Sequence, residues 1–210
     1  MAIWFRYLKT DWFSRRNPAL REIPFVLGTP VHGRLVVTAA NALAELNSVY
    51  TGTVVADARA IIPSLQVLDD DENLPGKLLK GLAEWFIRYT PVVAIDAPDG
   101  LILDVTGCTH LWGGENRYLT DIDKRLNHFG YTIRTAMADT IGAAWAVARH
   151  GQCKPVIETG QHKTALLSLP PAALRISNEN IERLDKLGLR QVGSFINMPG
   201  PSLRRRFGDE

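Results

Sequence analysis

The stretch Ile95-Asp96-Ala97-Pro98-Asp99-Gly100-Leu101-Ile102-Leu103-Asp104-Val105-Thr106-Gly107 sets three aspartates around an Asp-Gly turn. Carboxylates gathered at a strand end are the ligand set of a magnesium-dependent phosphoryl-transfer centre, where two cations ~3.5–4 Å apart are held by converging acids. Side chains alternate faces along a strand, so Leu101, Leu103 and Val105 share one face and Ile102, Asp104 and Thr106 the other. Asp-Gly is equally a strong signal for a plain hairpin. These residues alone leave two readings open: a structural turn, or a metal site built from Asp96, Asp99 and Asp104, with Asp11 as a further candidate.

Other constellations carry less. Cys108-Thr109-His110, taken with Cys153 and His150 or His162, has no closed zinc-site spacing. Gly113-Gly114-Glu115 lacks the Lys-Ser/Thr of a phosphate loop and reads as a loop before a helix. Asp69-Asp70-Asp71-Glu72 reads as a solvated loop. Arg204-Arg205-Arg206, with Arg190 and Lys186, is either a solvated helix face or a contact to a DNA backbone.

These residues need elements to position them. Ala2 to Leu8 suits a first, buried strand, and residues 11 to 24 are a polar, basic connection. Pro24 to Leu27 and Gly33 to Thr38 read as short strands around a Gly-Thr-Pro turn, followed by helices over Ala39 to Leu46 and Ala56 to Ile62. Leu78, Leu79, Leu82, Trp85 and Phe86 give helical spacing to Leu74–Tyr89. The hairpin Val92–Asp96 and Leu101–Thr106 follows, then a helix over Glu115–Phe129, a strand over Tyr131–Met137 and an alanine-rich helix over Thr140–His150. This order predicts an α+β, ferredoxin-like sheet layered with helices, with residues 11 to 73 inserted as a small subdomain. After a boundary at Leu166-Leu167-Ser168-Leu169-Pro170-Pro171, Ile181–Leu187, the turn Gly188–Gly193 and Ser194–Asn197 form a helix-hairpin-helix-like unit whose turn amides can face a phosphate.

With 210 residues, 46% hydrophobic and 22% charged, the chain buries a real core, and its net charge of +2 gives no global demand for nucleic acid. Two cysteines make no disulfide framework, no apolar run reaches the ~18 residues of a membrane span, and the N-terminus is not a secretory signal. The expected location is the cytoplasm, with no membrane partner.

The order of elements, the hairpin, the helix-hairpin-helix-like unit and the run GLILDVTGCTHLWGGE resemble the Y-family (translesion) DNA polymerases, in particular their ImuB-type branch of polymerase-like proteins from bacterial inducible mutagenesis. YTPVVAIDAPDG before that run and DTIGAAWAVAR after it carry the same resemblance, which spans nearly the whole chain. It implies a polymerase palm from residues 1–10 and 74–160, fingers from 11–73, and a helical thumb from 166–210 that is truncated.

What the resemblance implies for catalysis is mostly loss. Active members hold metal on the first strand in a pattern like VDMDAFF. The matching Phe5-Arg6-Tyr7-Leu8-Lys9 has no carboxylate, with Arg6 and Leu8 at the substituted positions. Against SIDEAYLDVT, the aspartate falls on Asp99 and the glutamate on Gly100; the fingers Tyr and Arg fall on Ala42 and Glu45, and the palm lysine on Ile141. A glutamate facing a triphosphate repels where an arginine attracts. Asp99 is then a remnant, no catalytic set is intact, and no cofactor is expected; Mg2+ belongs to the alternative of an active, divergent polymerase. The resemblance implies an adaptor in DNA repair and damage-induced mutagenesis. Its partners are DNA held weakly by its backbone, an error-prone replicative-type polymerase, a RecA-like accessory protein, and the sliding clamp through regions beyond this chain. DNA contact falls on Lys186, Gly188, Arg190, Gly193, Arg204, Arg205 and Arg206. The usual PGIG-like turn is replaced by Leu174-Arg175-Ile176-Ser177-Asn178, which weakens that grip.

Overall fold

The computed structural model describes residues 1–151 and 155–208. Two sheets organise it. The first is antiparallel throughout, in the order β5 (Val92–Asp96), β6 (Gly100–Asp104), β1 (Ala2–Phe5), β7 (Ile133–Ala136). The second has β2 (Phe25–Val31) between β3 (Arg34–Ala40), antiparallel, and β4 (Gln66–Asp69), parallel. The first sheet has the ferredoxin-like order expected from the sequence, and the second belongs to the insertion.

Alternation along the strands decides what each face meets. Ile3, Phe5, Leu101 and Leu103 point one way and are covered by α4 (Leu74–Phe86) and α5 (Glu115–His128) through Leu79, Phe86, Tyr118, Ile122 and Leu126, all buried. The opposite face takes α6 (Ile141–His150), whose Ala144 and Val147 pack on Ala2 and Ala136. Small side chains on both partners let this helix lie close to the sheet. Thr140 caps it, its Oγ1 accepting from the Ala143 N–H at 3.3 Å. Paired residues in a ladder share a face, so Trp4, Gly100 and Asp96 all point toward α6. The second sheet packs Val26 and Val37 against α2 (Ala42–Leu46) and α3 (Val55–Ile61).

Several sequence expectations are corrected. The first strand stops at Phe5, and the connection from residue 11 is mostly helix, α1 (Leu8–Arg16), which buries Leu8 and Thr10. Gly28-Thr29-Pro30 is strand, not turn; the hairpin turns at His32 and Gly33, with φ of 47° and 77°. Pro30 is tolerated because β4 pairs only with Phe25–Gly28, so β2 has a free edge beyond that point. The acidic run starts with β4 rather than a loop, and the Asp70 side chain is buried. In the C-terminal unit α7 (His162–Leu166) and α8 (Asn178–Lys186) are helices, but Ser194–Asn197 is not. A single 3-10 turn covers Val192–Ser194, and the next helix, α9 (Gly200–Phe207), begins after Pro199. Among the described residues no helix is long and apolar enough to cross a membrane.

Asp11, considered with the hairpin acids, serves α1 instead. Its Oδ2 accepts the Thr132 N–H at 2.6 Å, and burial pushes its carboxyl up to about 6 against that bond and nearby Arg15 and Arg21. A folded pKa above the unfolded ~3.9 means the folded state holds the extra proton between pH ~4 and 6, so this group's contribution falls as pH rises through that window. Asp11→Asn keeps an acceptor for Thr132 and removes the charge. It should stabilise the protein by about 1–2 kcal/mol at pH 7.5, with the gain shrinking toward zero at pH 4. Urea denaturation at the two pH values measures this; an equal effect at both would remove the electrostatic cause.

Candidate functional site

The hairpin delivers two carboxylates to the α6 face, and a guanidinium holds both. Asp96 closes β5 and Asp99 stands in the turn. Arg149, one helical turn beyond Trp145 on α6, places Nη2 2.6 Å from Asp99 Oδ1 and 3.3 Å from Asp96 Oδ2. Indole N–H groups complete the set: Trp4 Nε1 donates to Asp99 Oδ2 at 2.9 Å and Trp145 Nε1 to Asp96 Oδ2 at 2.8 Å. Arg175, from the C-terminal helical region, donates to Asp96 Oδ1 at 3.2 Å. The same rings stack with the cations, Arg175 lying 4.2 Å and Arg149 4.8 Å from the Trp145 ring centroid. All four carboxylate oxygens therefore have donors, and Arg149 occupies the place between the two acids that a shared cation would take. Gly100 lies tight against this pair, since a Cβ there would lie 3.0 Å from Asp96 Oδ2 and 3.2 Å from Arg149 Nη2.

Asp104 does not join them. It ends β6 opposite Val92, whereas Asp96 pairs with Gly100, roughly 13 Å along the strand. Its Oδ1 accepts the Thr106 N–H at 3.0 Å, and its carbonyl accepts from the Thr90 hydroxyl. The combination Asp96, Asp99 and Asp104 is thus separated by the length of a strand. Among the described residues no group of three or more His, Cys, Asp or Glu could hold a metal ion. Cys153, weighed with Cys108 as a zinc ligand, lies outside the described residues.

Beside the hairpin, a cleft of about 250 Å³ brings Arg6, Lys9, Glu45 and Asp99 to one wall set. Its charges are paired across the two layers. Arg6 Nη2 lies 2.9 Å from Glu45 Oε2, which also accepts from the Tyr7 hydroxyl at 2.7 Å. Burial and that carboxylate push the Tyr7 phenol up to about 12. Lys9 Nζ bonds both Asp70 oxygens, at 2.8 and 2.6 Å. Leu8 is in the core, Ala42 is exposed at the start of α2, and Ile141 is exposed at the start of α6, in a different groove from Arg6 and Glu45.

The turn of the C-terminal unit spends both of its glycine amides inside the chain. Gly188 donates to the Asp185 carbonyl, Val192 to Leu169 and Gly193 to Leu167, each at 2.8–2.9 Å. Gly193 is required by packing, because a Cβ would meet the Leu167 carbonyl at 2.9 Å. The expectation that Gly188 and Gly193 present amides to a phosphate is corrected on that ground. Of the basic residues, Arg190 pairs with Asp185 at 2.9 Å, while Lys186 and the exposed Arg204, Arg205 and Arg206 lie on α8 and α9. Sequence reasoning missed Arg149, Trp4, Trp145 and Arg175. The signal available for two of them was the i, i+4 spacing of Trp145 and Arg149, which places them on one helix face.

Comparison with known proteins fits this architecture. Residues 3–149 match the model of the impB/mucB/samB family. The chain is 43% identical over 159 residues to Protein ImuB of Caulobacter vibrioides, covering 76% of this chain and 35% of that protein. It is 26% identical over 200 residues to DNA polymerase IV of Salmonella typhimurium, covering 92% of this chain and 56% of that one. The chain thus spans about a third to a half of the length of these relatives. Among solved structures, DinB from Sulfolobus solfataricus matches with a TM-score of 0.80 at 18% identity, and an insertion ternary complex of Dbh DNA polymerase with 0.81 at 18%. Each match covers 99% of this chain and 62% of the other.

Proposed function

This chain belongs to the impB/mucB/samB family of Y-family polymerase-like proteins, and we propose that it works there as a non-catalytic module, an adaptor in damage-tolerant DNA synthesis. The observation that carries this reading is Arg149 seated between Asp96 and Asp99. A cation shared by Asp96 and Asp99 would have to lie where this guanidinium is, so its entry requires Arg149 to leave. Gly100, where a side chain would press on Asp96 and Arg149, and Glu45, paired with Arg6, point the same way. A triphosphate approaching the cleft meets Arg6 and Lys9 already neutralised by Glu45 and Asp70.

The partners follow from the family resemblance: DNA, the sliding clamp, an error-prone replicative-type polymerase and a RecA-like accessory protein. Lys186, Arg190, Arg204, Arg205 and Arg206 are the residues we assign to backbone contact with DNA, without help from the Gly188 and Gly193 amides. Primer extension by the protein carrying this chain, with Mg2+ or Mn2+, tests the catalytic half of the proposal. The expected result is no templated incorporation above that of an Asp99→Ala variant. Incorporation by the wild type that disappears in that variant overturns the non-catalytic reading and installs the active polymerase in its place.

A further inference from the structure

We propose that the open half of the sheet's α6 face is a docking groove for an amphipathic helix of a partner protein, one that carries Lys or Arg beside its apolar stripe. On this face α6 covers β1 and β7 and reaches the Asp96–Gly100 end of β5 and β6 through Trp145 and Arg149, leaving the Val92–Ala94 and Ile102–Asp104 end bare. A cavity of about 790 Å³ runs along the bare part. Its floor is apolar: Val92 is 55% exposed and Ile141 62%, with Ala94 and Ile102 beside them. β5 is also the outer strand of the sheet. Helices are what pack on sheet faces, as α6 does on the neighbouring half.

The charge on the rim selects the partner. Asp104, Glu115, Asp139 and Glu158 line the groove, and no Lys, Arg or His side chain does among the described residues. Asp104 feels the N-terminal ammonium of Met1, which also lines the groove, whereas Glu115, Asp139 and Glu158 make no ion pair among the described residues. Asp139 accepts from Thr159 Oγ1 and the Gly160 N–H, which fixes its loop and leaves its charge unneutralised. The chain as a whole carries +2, so this groove reverses its sign locally. Nucleic acid and other phosphates are repelled here, whereas a cationic helix gains both apolar burial and complementary charge. The inference uses neither the hairpin site nor the cleft, and it stands whether or not the protein polymerises DNA.

The test is fluorescence anisotropy with a labelled synthetic peptide that has leucines at i, i+3, i+4 and i+7 and lysines flanking them. A second peptide replaces every lysine with glutamate. The wild-type chain should bind the first peptide with an affinity that weakens with salt, and the second at least tenfold less well. Ile141→Asp should abolish binding, and the pair Glu115→Gln and Glu158→Gln should lower it about two- to tenfold. These positions are at the surface, and unchanged thermal melting of each variant confirms that the fold is intact. Equal binding of both peptides, or undiminished binding by Ile141→Asp, overturns the proposal. So does self-association of the wild type in sedimentation velocity that Ile141→Asp removes, since the occupant is then a second copy.

Discussion

Lys9→Met should destabilise the protein by about 3 kcal/mol, a fall in melting temperature of roughly 6–12 °C for a chain of this size. The Asp70 side chain is 2% exposed and that of Lys9 18%, so neither charge is well served by water. Lys9 Nζ bonds both carboxylate oxygens, and methionine keeps the length of the stem while removing the charge. What remains is a buried carboxylate with no counter-ion, the condition under which losing a pair is most damaging. Because Lys9 is on α1 and Asp70 follows β4, the loss falls on the contact between the two layers. The companion variant Lys9→Met with Asp70→Asn removes both charges and should recover more than half of the loss. A double-mutant cycle measured by urea denaturation reads the coupling directly. A cost below 1 kcal/mol for Lys9→Met would place the pair with ordinary surface ion pairs.

The same pair marks where the sequence was legible and where it was not. Helices α4, α5 and α6 and the hairpin were readable because their apolar residues repeat with the period of one element, a local property of the chain. The ferredoxin-like order followed from those elements. β4 was hidden because Gln66–Asp69 has one foot in an acidic run; its strand character comes from pairing in parallel with β2, roughly forty residues earlier, and no local pattern records that. Asp70 was read as solvated for the same reason, since only the fold brings Lys9 to it. The hairpin acids show the limit most clearly. Asp96 and Asp99 were correctly placed at one turn, and Asp104 on the strand, but the cation between them comes from Arg149, fifty residues on, with Trp4 from the first strand. An arginine in an alanine-rich helix carries no sign of its partners. The substitutions at Arg6 and Glu45 were each visible alone, and their meeting at 2.9 Å was not.

Arg149→Met should cost about 2–3 kcal/mol, roughly 5–10 °C in melting temperature, and should create a response to divalent cations that the wild type lacks. Removing the guanidinium leaves Asp99 Oδ1 without its donor, while Trp4 still serves Asp99 Oδ2 and Trp145 and Arg175 still serve Asp96. Two carboxylates that shared one cation then face each other in a partly buried setting, and their repulsion adds to the lost bonds. The cost stays below that of a fully buried pair because both aspartates retain some contact with water. The vacated position has the ligands a hard cation prefers, oxygens of two acids on a rigid hairpin. At ten times its dissociation constant a bound ion returns about 1.4 kcal/mol, so millimolar Mn2+ should raise the variant's melting temperature by about 3–5 °C and leave the wild type unmoved. Adding Asp99→Asn to Arg149→Met should relieve the repulsion and erase the Mn2+ response together, because both effects come from the same two carboxylates. A wild type that responds to Mn2+ as strongly as the variant would mean that metal displaces Arg149 unaided. In that case the hairpin is a working cation site, and the non-catalytic reading loses the observation on which it stands.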